Sequence, residues 1–197
     1  MSLRNPLGDA IVSDPQAMRA LAHPVRLAAL SYLQRNGPAT ATGLAPHVGA
    51  TPSVTSWHLR HLAAFGLVVD ADPADVPGDK RQRWWAAPAH GFRLEIGASA
   101  EADAAGRAIG GVLMDTAGQQ IDAWRRDSEP ALEPDWRRLA GVSNTTVRLT
   151  AGELSTLADA VDELLGPYVL RPDDQVPPDA RLVRVLRHFL PGSAGDA

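Results

Sequence analysis

The 197-residue sequence has no cysteine, which excludes a disulfide framework, thiolate metal ligands and cysteine nucleophiles. It has no apolar leader at its N-terminus and no run of the roughly 18 apolar residues that a membrane span requires, so the expected location is the cytoplasm and no membrane partner is expected. There is also no phosphate-binding glycine loop, no nucleophile elbow and no clustered His/carboxylate set; the acids of the second half are spread along apparent helix surfaces, and an enzyme is not expected. Lysine occurs once, at Lys80. What is present is 45% hydrophobic residues, ample for the core of one large domain or two small ones. The formal charge of −4 is unevenly spread: residues 1–90 carry eight basic and six acidic residues (+2), and residues 91–197 carry eleven and seventeen (−6). An acidic body behind a mildly basic head orients the head towards phosphate.

The chain is organised around residues 38–68. Thr51-Pro52 is a helix start: a hydroxyl that accepts from an orphan N–H, then a residue whose missing N–H costs nothing at the first helical position. In the helix that follows, Thr55, Leu59 and Leu62 share an inward face, while Ser53, Ser56, Trp57 and Arg60 lie on other faces near its N-terminal end. Gly66 supplies the positive φ that stops the helix, and Leu67, Val68 and Val69 open a strand. Upstream, Ala41 to Val48 forms a short helix with Leu44, Ala45 and Val48 inward, closed by Gly49. Two helices joined by so short a turn must cross.

Residues 1–14 read as a poorly ordered arm or a short lead-in. From Pro15, Met18 and Leu21 mark one helix; His23-Pro24 interrupts it; Leu27, Leu30 and Leu33 mark a second, ended by Gly37-Pro38. After Val69 a turn-rich stretch leads to a second strand, Arg83 to Ala86, so that the two strands form a β-wing. The wing loop is acidic from Asp70 to Asp79 and then basic at Lys80, Arg81 and Arg83, which favours phosphate contacts from the returning strand.

In this order, the segments ALAHPVRLAALSYL, SVTSWHLRHLAAFGLV and RQRWW make residues 17–87 resemble the ArsR/SmtB-type winged helix-turn-helix regulators. The resemblance implies that Ser56, Trp57 and Arg60 face the major groove, that Ser53 sits near the phosphate backbone and that His58 is a partly buried structural residue. His61, Lys80, Arg81 and Arg83 complete the candidate DNA-binding set. The family's metal sensing does not carry over: the paired cysteines are absent, and residues 99–127 offer Glu101, Asp103, Asp115 and Asp122 but no histidine. His58 and His61 are spaced to share a metal, but the recognition helix must stay free for DNA, so neither metal nor cofactor is expected.

The pattern changes at Pro88–Gly91, dividing the chain into an arm (1–14), a winged helix-turn-helix domain (15–90) and a dimerisation and possible effector domain (91–197). In the last, Phe92, Leu94 and Ile96 alternate as a short strand, and a long helix runs from Ser99 to about Asp127. Its glycines at 106, 110 and 111 each cost about 1 kcal/mol of helix propensity, which fits either a close approach across a two-fold axis or a kinked core helix. Trp136 anchors a proline-bearing connector. Val147 and Leu149 mark a strand, and Thr150 with Glu153 forms a capping box for a helix carrying Leu154, Leu157, Val161, Leu164 and Leu165, stopped by Gly166-Pro167. The run RLVRVLRHFL fits strand or helix, and strand is the reading adopted. Arg184 and His188 on one face of it could read an anion, against the commoner reading of solvated charges.

The expected fold is α+β, mainly α: a winged helix-turn-helix, a long helix and a small β-α-β domain. The expected function is a homodimeric, sequence-specific DNA-binding transcriptional regulator, a repressor controlled through its C-terminal domain, on double-stranded DNA with an inverted-repeat operator. The dimer contact lies on either the first helices or the long helix. The alternative is a winged-helix adaptor that binds protein rather than specific DNA.

Overall fold

The computed structural model describes residues 5–76 and 82–192. The fold is α+β and mainly helical, in the order β1 (Ala10–Val12), α1 (Pro15–Leu21), α2 (Pro24–Asn36), β2 (Ala39–Thr40), α3 (Ala41–Val48), α4 (Pro52–Ala63), β3 (Val69–Asp70), β4 (Trp84–Ala86), β5 (Phe92–Leu94), α5 (Ala100–Asp127), α6 (Pro134–Leu139) and α7 (Ala151–Val169). No described helix is long and apolar enough to cross a membrane.

The helices of the first half start and stop as the sequence predicts. Asp14, His23, Thr40 and Thr51 each accept an N–H from the first turn that follows, capping α1, α2, α3 and α4. The core beneath them is one cluster in which Met18, Leu21, Leu30, Leu33, Leu44, Leu59, Leu62, Val68 and Trp85 meet. The His-Pro-Val-Arg segment acquires a mechanical explanation. His23 Nδ1 accepts from Val25 N–H at 3.2 Å and Pro24 fills the first turn of α2. Arg26 then reaches back, donating through Nε to the Ala20 carbonyl and through Nη2 to that of Arg19 at 3.2 Å, which satisfies the C-terminal end of α1.

The wing is a three-stranded antiparallel sheet ordered β2-β4-β3, with Thr40 opposite Trp84, Ala39 and Asp70 both opposite Trp85, and Val69 opposite Ala86. Periodicity did not reveal β2, because two residues carry no period; the ladder to β4 defines it. Leu67 and Val68 are buried before the strand begins. Residues 5–14 are a built lead-in: Leu7 and Val12 are buried, Asn5 and Asp9 exchange two hydrogen bonds, and β1 pairs in parallel with β5. Gly91 leaves room there for the Asp9 carboxylate, since a Cβ would lie 2.4 Å from its Oδ1.

Helix α5 runs unbroken over 28 residues, capped by Ser99. Its first half buries Ala102, Ala105 and Ile109 and packs on α1, with Arg19 and Glu101 paired at 2.7 Å. Gly106 is accounted for inside the protomer, because a Cβ would lie 2.6 Å from Ile96 Cδ1, whereas nothing approaches Gly110 or Gly111.

The small β-α-β unit expected after it is corrected to a helix between irregular segments. The capping box of α7 forms, with Thr150 N–H donating to Glu153 Oε2 at 2.7 Å and Glu153 N–H to Thr150 Oγ1 at 3.2 Å. Residues 146–149 and 181–190, however, form no strand. Alternation supplies a face but no partner, and neither segment pairs with a strand of either described sheet. The expected stop at Gly166-Pro167 is also corrected: α7 continues to Val169 with Pro167 inside it. Pro167 lies in the last turn, so the ladder bond that its missing N–H forfeits is among the last of the helix, and Gly166 serves as a close approach, with the Pro6 carbonyl 3.4 Å from where its Cβ would be. Trp136 is half-buried on α6 with the Arg181 guanidinium 5.1 Å from its ring centroid, so it holds the C-terminal segment.

Candidate nucleic-acid interface

Helices α3 and α4 are the paired helices, and the turn between them is short because two residues do special work in it. Gly49 adopts the left-handed conformation at φ 65°, and Thr51 both accepts from Val54 N–H at 3.4 Å and has its carbonyl engaged by Thr55 Oγ1 at 2.9 Å. The start of α4 lies in solvent: Thr51, Pro52, Ser53 and Val54 are all exposed. At its other end Gly66, at φ 67°, donates to the Ala63 carbonyl at 3.0 Å while Leu67 N–H donates to Leu62 at 3.1 Å, the paired closure that turns a helix into a following strand.

Thr55, His58, Leu59 and Leu62 are buried, and they lock α4 against the core. Outward lie Ser53, Trp57 and Arg60, all exposed, with Ser56 and His61 half-buried beside them. Trp57 is 54% exposed yet held on two sides, edge-on by His58 with ring centroids 4.9 Å apart and stacked on His61 at 5.7 Å and 20°. Arg60 has no ion-pair partner among the described residues. A clamped indole beside a free guanidinium and two hydroxyls is a surface able to stack, donate hydrogen bonds and attract phosphate. Val54, 44% exposed, belongs to the same surface and is absent from the sequence-derived set; it stands in the first turn of α4, between the exposed Ser53 and the buried Thr55.

In the wing, Lys80 and Arg81 lie outside the described residues. Arg83 is exposed but engaged. Its Nε and Nη2 donate to the two carboxylate oxygens of Asp70 at 2.6 and 3.2 Å, and its guanidinium lies 4.0 Å from the Trp85 ring centroid. The hydrogen bond from Arg83 holds the Asp70 carboxyl below its ordinary range. Arg83 thus braces the two wing strands, and its charge is already paired with that of Asp70.

Behind α4, His58 packs against His23 with ring centroids 4.7 Å apart, and its Nδ1 is buried with no hydrogen-bond partner. Burial first, then the charges of its neighbours His23, Arg26 and His61, push its pKa down. Burial and Arg26 do the same to His23. Both rings are therefore neutral at neutral pH and act as packing between the capping segment of α2 and the inner face of α4. The expectation of a structural His58 agrees with this placement. Among the described residues no group of three or more His, Asp or Glu is arranged to hold a metal ion.

Compared with known proteins, residues 21–70 match the family model described as a helix-turn-helix domain, a span that takes in α2, β2, α3, α4 and β3. No curated protein matches the chain. The chain carries a helix-turn-helix domain, the kind of domain by which DNA-binding regulators hold DNA.

Proposed function

We propose that the protein is a sequence-specific, homodimeric transcriptional repressor of the ArsR/SmtB type, acting in the cytoplasm on an inverted-repeat operator and controlled through residues 91–197. The observation that carries this reading is the outward face of α4. Ser53, Ser56, Trp57 and Arg60 stand on a helix whose start is solvent-exposed and whose inner face is fixed by the core, as groove insertion requires. In this reading Arg60 and Ser56 contact base edges, Ser53 and the first turn of α4 contact phosphate, Trp57 and His61 pack against the sugar-phosphate wall, and Lys80, Arg81 and Arg83 add wing contacts. Two such helices related by a two-fold axis reach half-sites about 34 Å apart. Catalysis has no part in it.

The test is a titration of the protein against labelled duplex from immediately upstream of its own coding sequence, beside a scrambled duplex, at two salt concentrations. The expected result is a preference for the native duplex and an affinity that falls steeply with salt. Equal binding to both duplexes would remove sequence specificity. A second reading, an adaptor that binds protein, is favoured by the exposure of Val54 and Trp57 together on α4 and by the internal pairing of Arg83. Its contact would be largely apolar and would persist at high salt.

A further inference from the structure

Between Asp14 and Asp70 the chain has no aspartate or glutamate, yet it carries Arg19, Arg26, Arg35 and Arg60 and four of the six histidines. Helices α1 to α4 therefore hold positive charge with no carboxylate of their own to receive more. Two of these histidines, His23 and His58, meet ring to ring at 4.7 Å and 46°, where the corner between α1 and α2 touches the inner face of α4. Each is fitted to its place in the neutral form only. Val25 N–H donates to His23 Nδ1 at 3.2 Å, and a proton on that nitrogen turns the acceptor into a donor and removes the cap of α2. His58 is 5% exposed and its Nδ1 is buried with no partner, so a proton there would make a buried, charged donor with nothing to accept it.

The surroundings of the pair offer no relief. Arg26 of α2 faces it, with its guanidinium committed to the carbonyls of Ala20 and Arg19. His61 stands one turn along α4, and Trp57 lies edge-on to His58 and stacked on His61. His23, Arg26 and His61 all oppose a charge on His58. On α1, Arg19 is paired with Glu101 of α5; on α2, Arg35 donates to the Ser31 carbonyl; α3 brings only His47, which packs on Tyr32 of α2; and Arg60 points outward from α4. A charge on the pair is relieved only when α4 moves away from it.

We propose that the His23–His58 pair is a proton-operated seat for α4: neutral rings hold the helix in place to bind DNA, and acid, by charging them, drives α4 off the seat and releases the duplex. This rests on the DNA-binding reading above and adds to it a signal, the proton, that acts from beneath the recognition helix. Seating excludes protons, so it is complete above the ordinary histidine value of 6.5 and weakens below it, by up to about tenfold per pH unit for each ring. The sign is diagnostic, because phosphate beside the half-buried His61 favours its charged form and by itself makes acid strengthen binding.

The test measures the affinity of the full chain for the native duplex at pH 7.5 and pH 5.5, at one salt concentration, and compares the two values within each protein. The wild type is expected to bind more weakly at pH 5.5, and His61→Gln, which lacks the opposing contribution, to weaken further, by up to about tenfold per ring. Affinity that is unchanged or higher at pH 5.5 in both proteins overturns the proposal. His23→Asn keeps a cap acceptor without the titrating ring; it and His58→Gln are each expected to lose part of the fall, and the double variant all of it. A double variant that weakens as much as the wild type overturns the assignment to this pair. Where the double variant loses helix content by circular dichroism, His23→Asn alone carries the comparison. Amide NMR spectra without DNA read the seat directly: the Leu59 and Leu62 N–H signals of α4 are expected to shift or broaden between pH 7.5 and pH 5.5 in the wild type and not in the variant, with helix content kept. Signals that behave alike in the two proteins overturn the seat, as does loss of the whole helix signal in the wild type, which is general acid unfolding. A wild type that binds no duplex at pH 7.5 overturns the DNA reading alone, and the spectra then decide the seat.

Discussion

Asp162 is the residue whose removal the structure allows to be worked out in most detail. It projects from the covered side of α7, opposite the exposed Leu157 and Leu164, and its side chain is 2% exposed between Arg93 of β5 and Arg187 of the C-terminal tail, which are 20 and 29% exposed. Arg93 hydrogen-bonds one carboxylate oxygen; Arg187 lies against the other as an ion pair, off the hydrogen-bond direction. Asp162→Asn removes the charge that compensates both guanidinium groups. Removing one partner of a buried pair costs about 3–5 kcal/mol. Both arginines can partly rehydrate, which lowers the expected cost to about 2–3 kcal/mol, or about 5–10 °C in Tm for a chain of this length. The control is Asp135→Asn, whose Arg138 pair is exposed on both sides and which should move stability by under about 0.5 kcal/mol.

The pH dependence gives an independent check on the same residue. Burial raises the Asp162 pKa, but the hydrogen bond from Arg93 and the guanidinium of Arg187 together outweigh it and leave the carboxyl below its ordinary 3.8. A carboxyl depressed in the folded state contributes stability that is complete above its unfolded pKa and is lost as pH falls through the folded one. The acid limb of a urea-denaturation series below about pH 4 should therefore be shallower in Asp162→Asn than in the wild type. A variant melting within about 1 °C of wild type, with an unchanged acid limb, would refute the assignment of this triad as the tie between β5, α7 and the tail.

Arg60→Ala should weaken binding to the native duplex by about 1–3 kcal/mol and relax discrimination at one base position, measured by competition with mutated duplexes. Arg81→Ala should weaken native and scrambled duplexes alike and reduce the salt slope by about one. His58 and His23 are pushed below their ordinary 6.5 by burial, so the folded state holds them neutral. The unfolded state binds more protons as pH falls below 6.5, and stability, complete above that value, should decline on the way to pH 5 by at most about 1.4 kcal/mol per pH unit for each ring. His58→Gln should flatten that decline in thermal melts between pH 7.5 and pH 5, and an unaltered slope would place the titration elsewhere. Gly110→Ala should stabilise the chain by about 0.5–1 kcal/mol, because a Cβ there meets nothing within 4 Å; a loss of dimer affinity instead would assign α5 to the interface.

The first half of the chain was legible because its signals are local. A cap followed by proline, a glycine at positive φ and an i, i+4, i+7 apolar face act within a few residues, and they set α1 to α4, their ends and the exposure of Trp57 and Arg60 before any packing is known. Local pattern could not supply ladders or counter-charges. The two residues of β2 become a strand only because β4 lies beside them, and β1 forms because β5 passes there. The alternating residues 146–149 and 181–190 stay irregular because no ladder takes them in. Arg83 carries a positive charge in the sequence, but only the wing brings Asp70 to it. Gly106 invited a two-fold contact, and tertiary structure filled that space with Ile96. By itself the sequence determined which segments coil into helices and which side chains they turn outward, since those depend on spacing along one chain. Tertiary structure decided the partners, because burial, ion pairing and strand pairing are made between residues that only folding brings together.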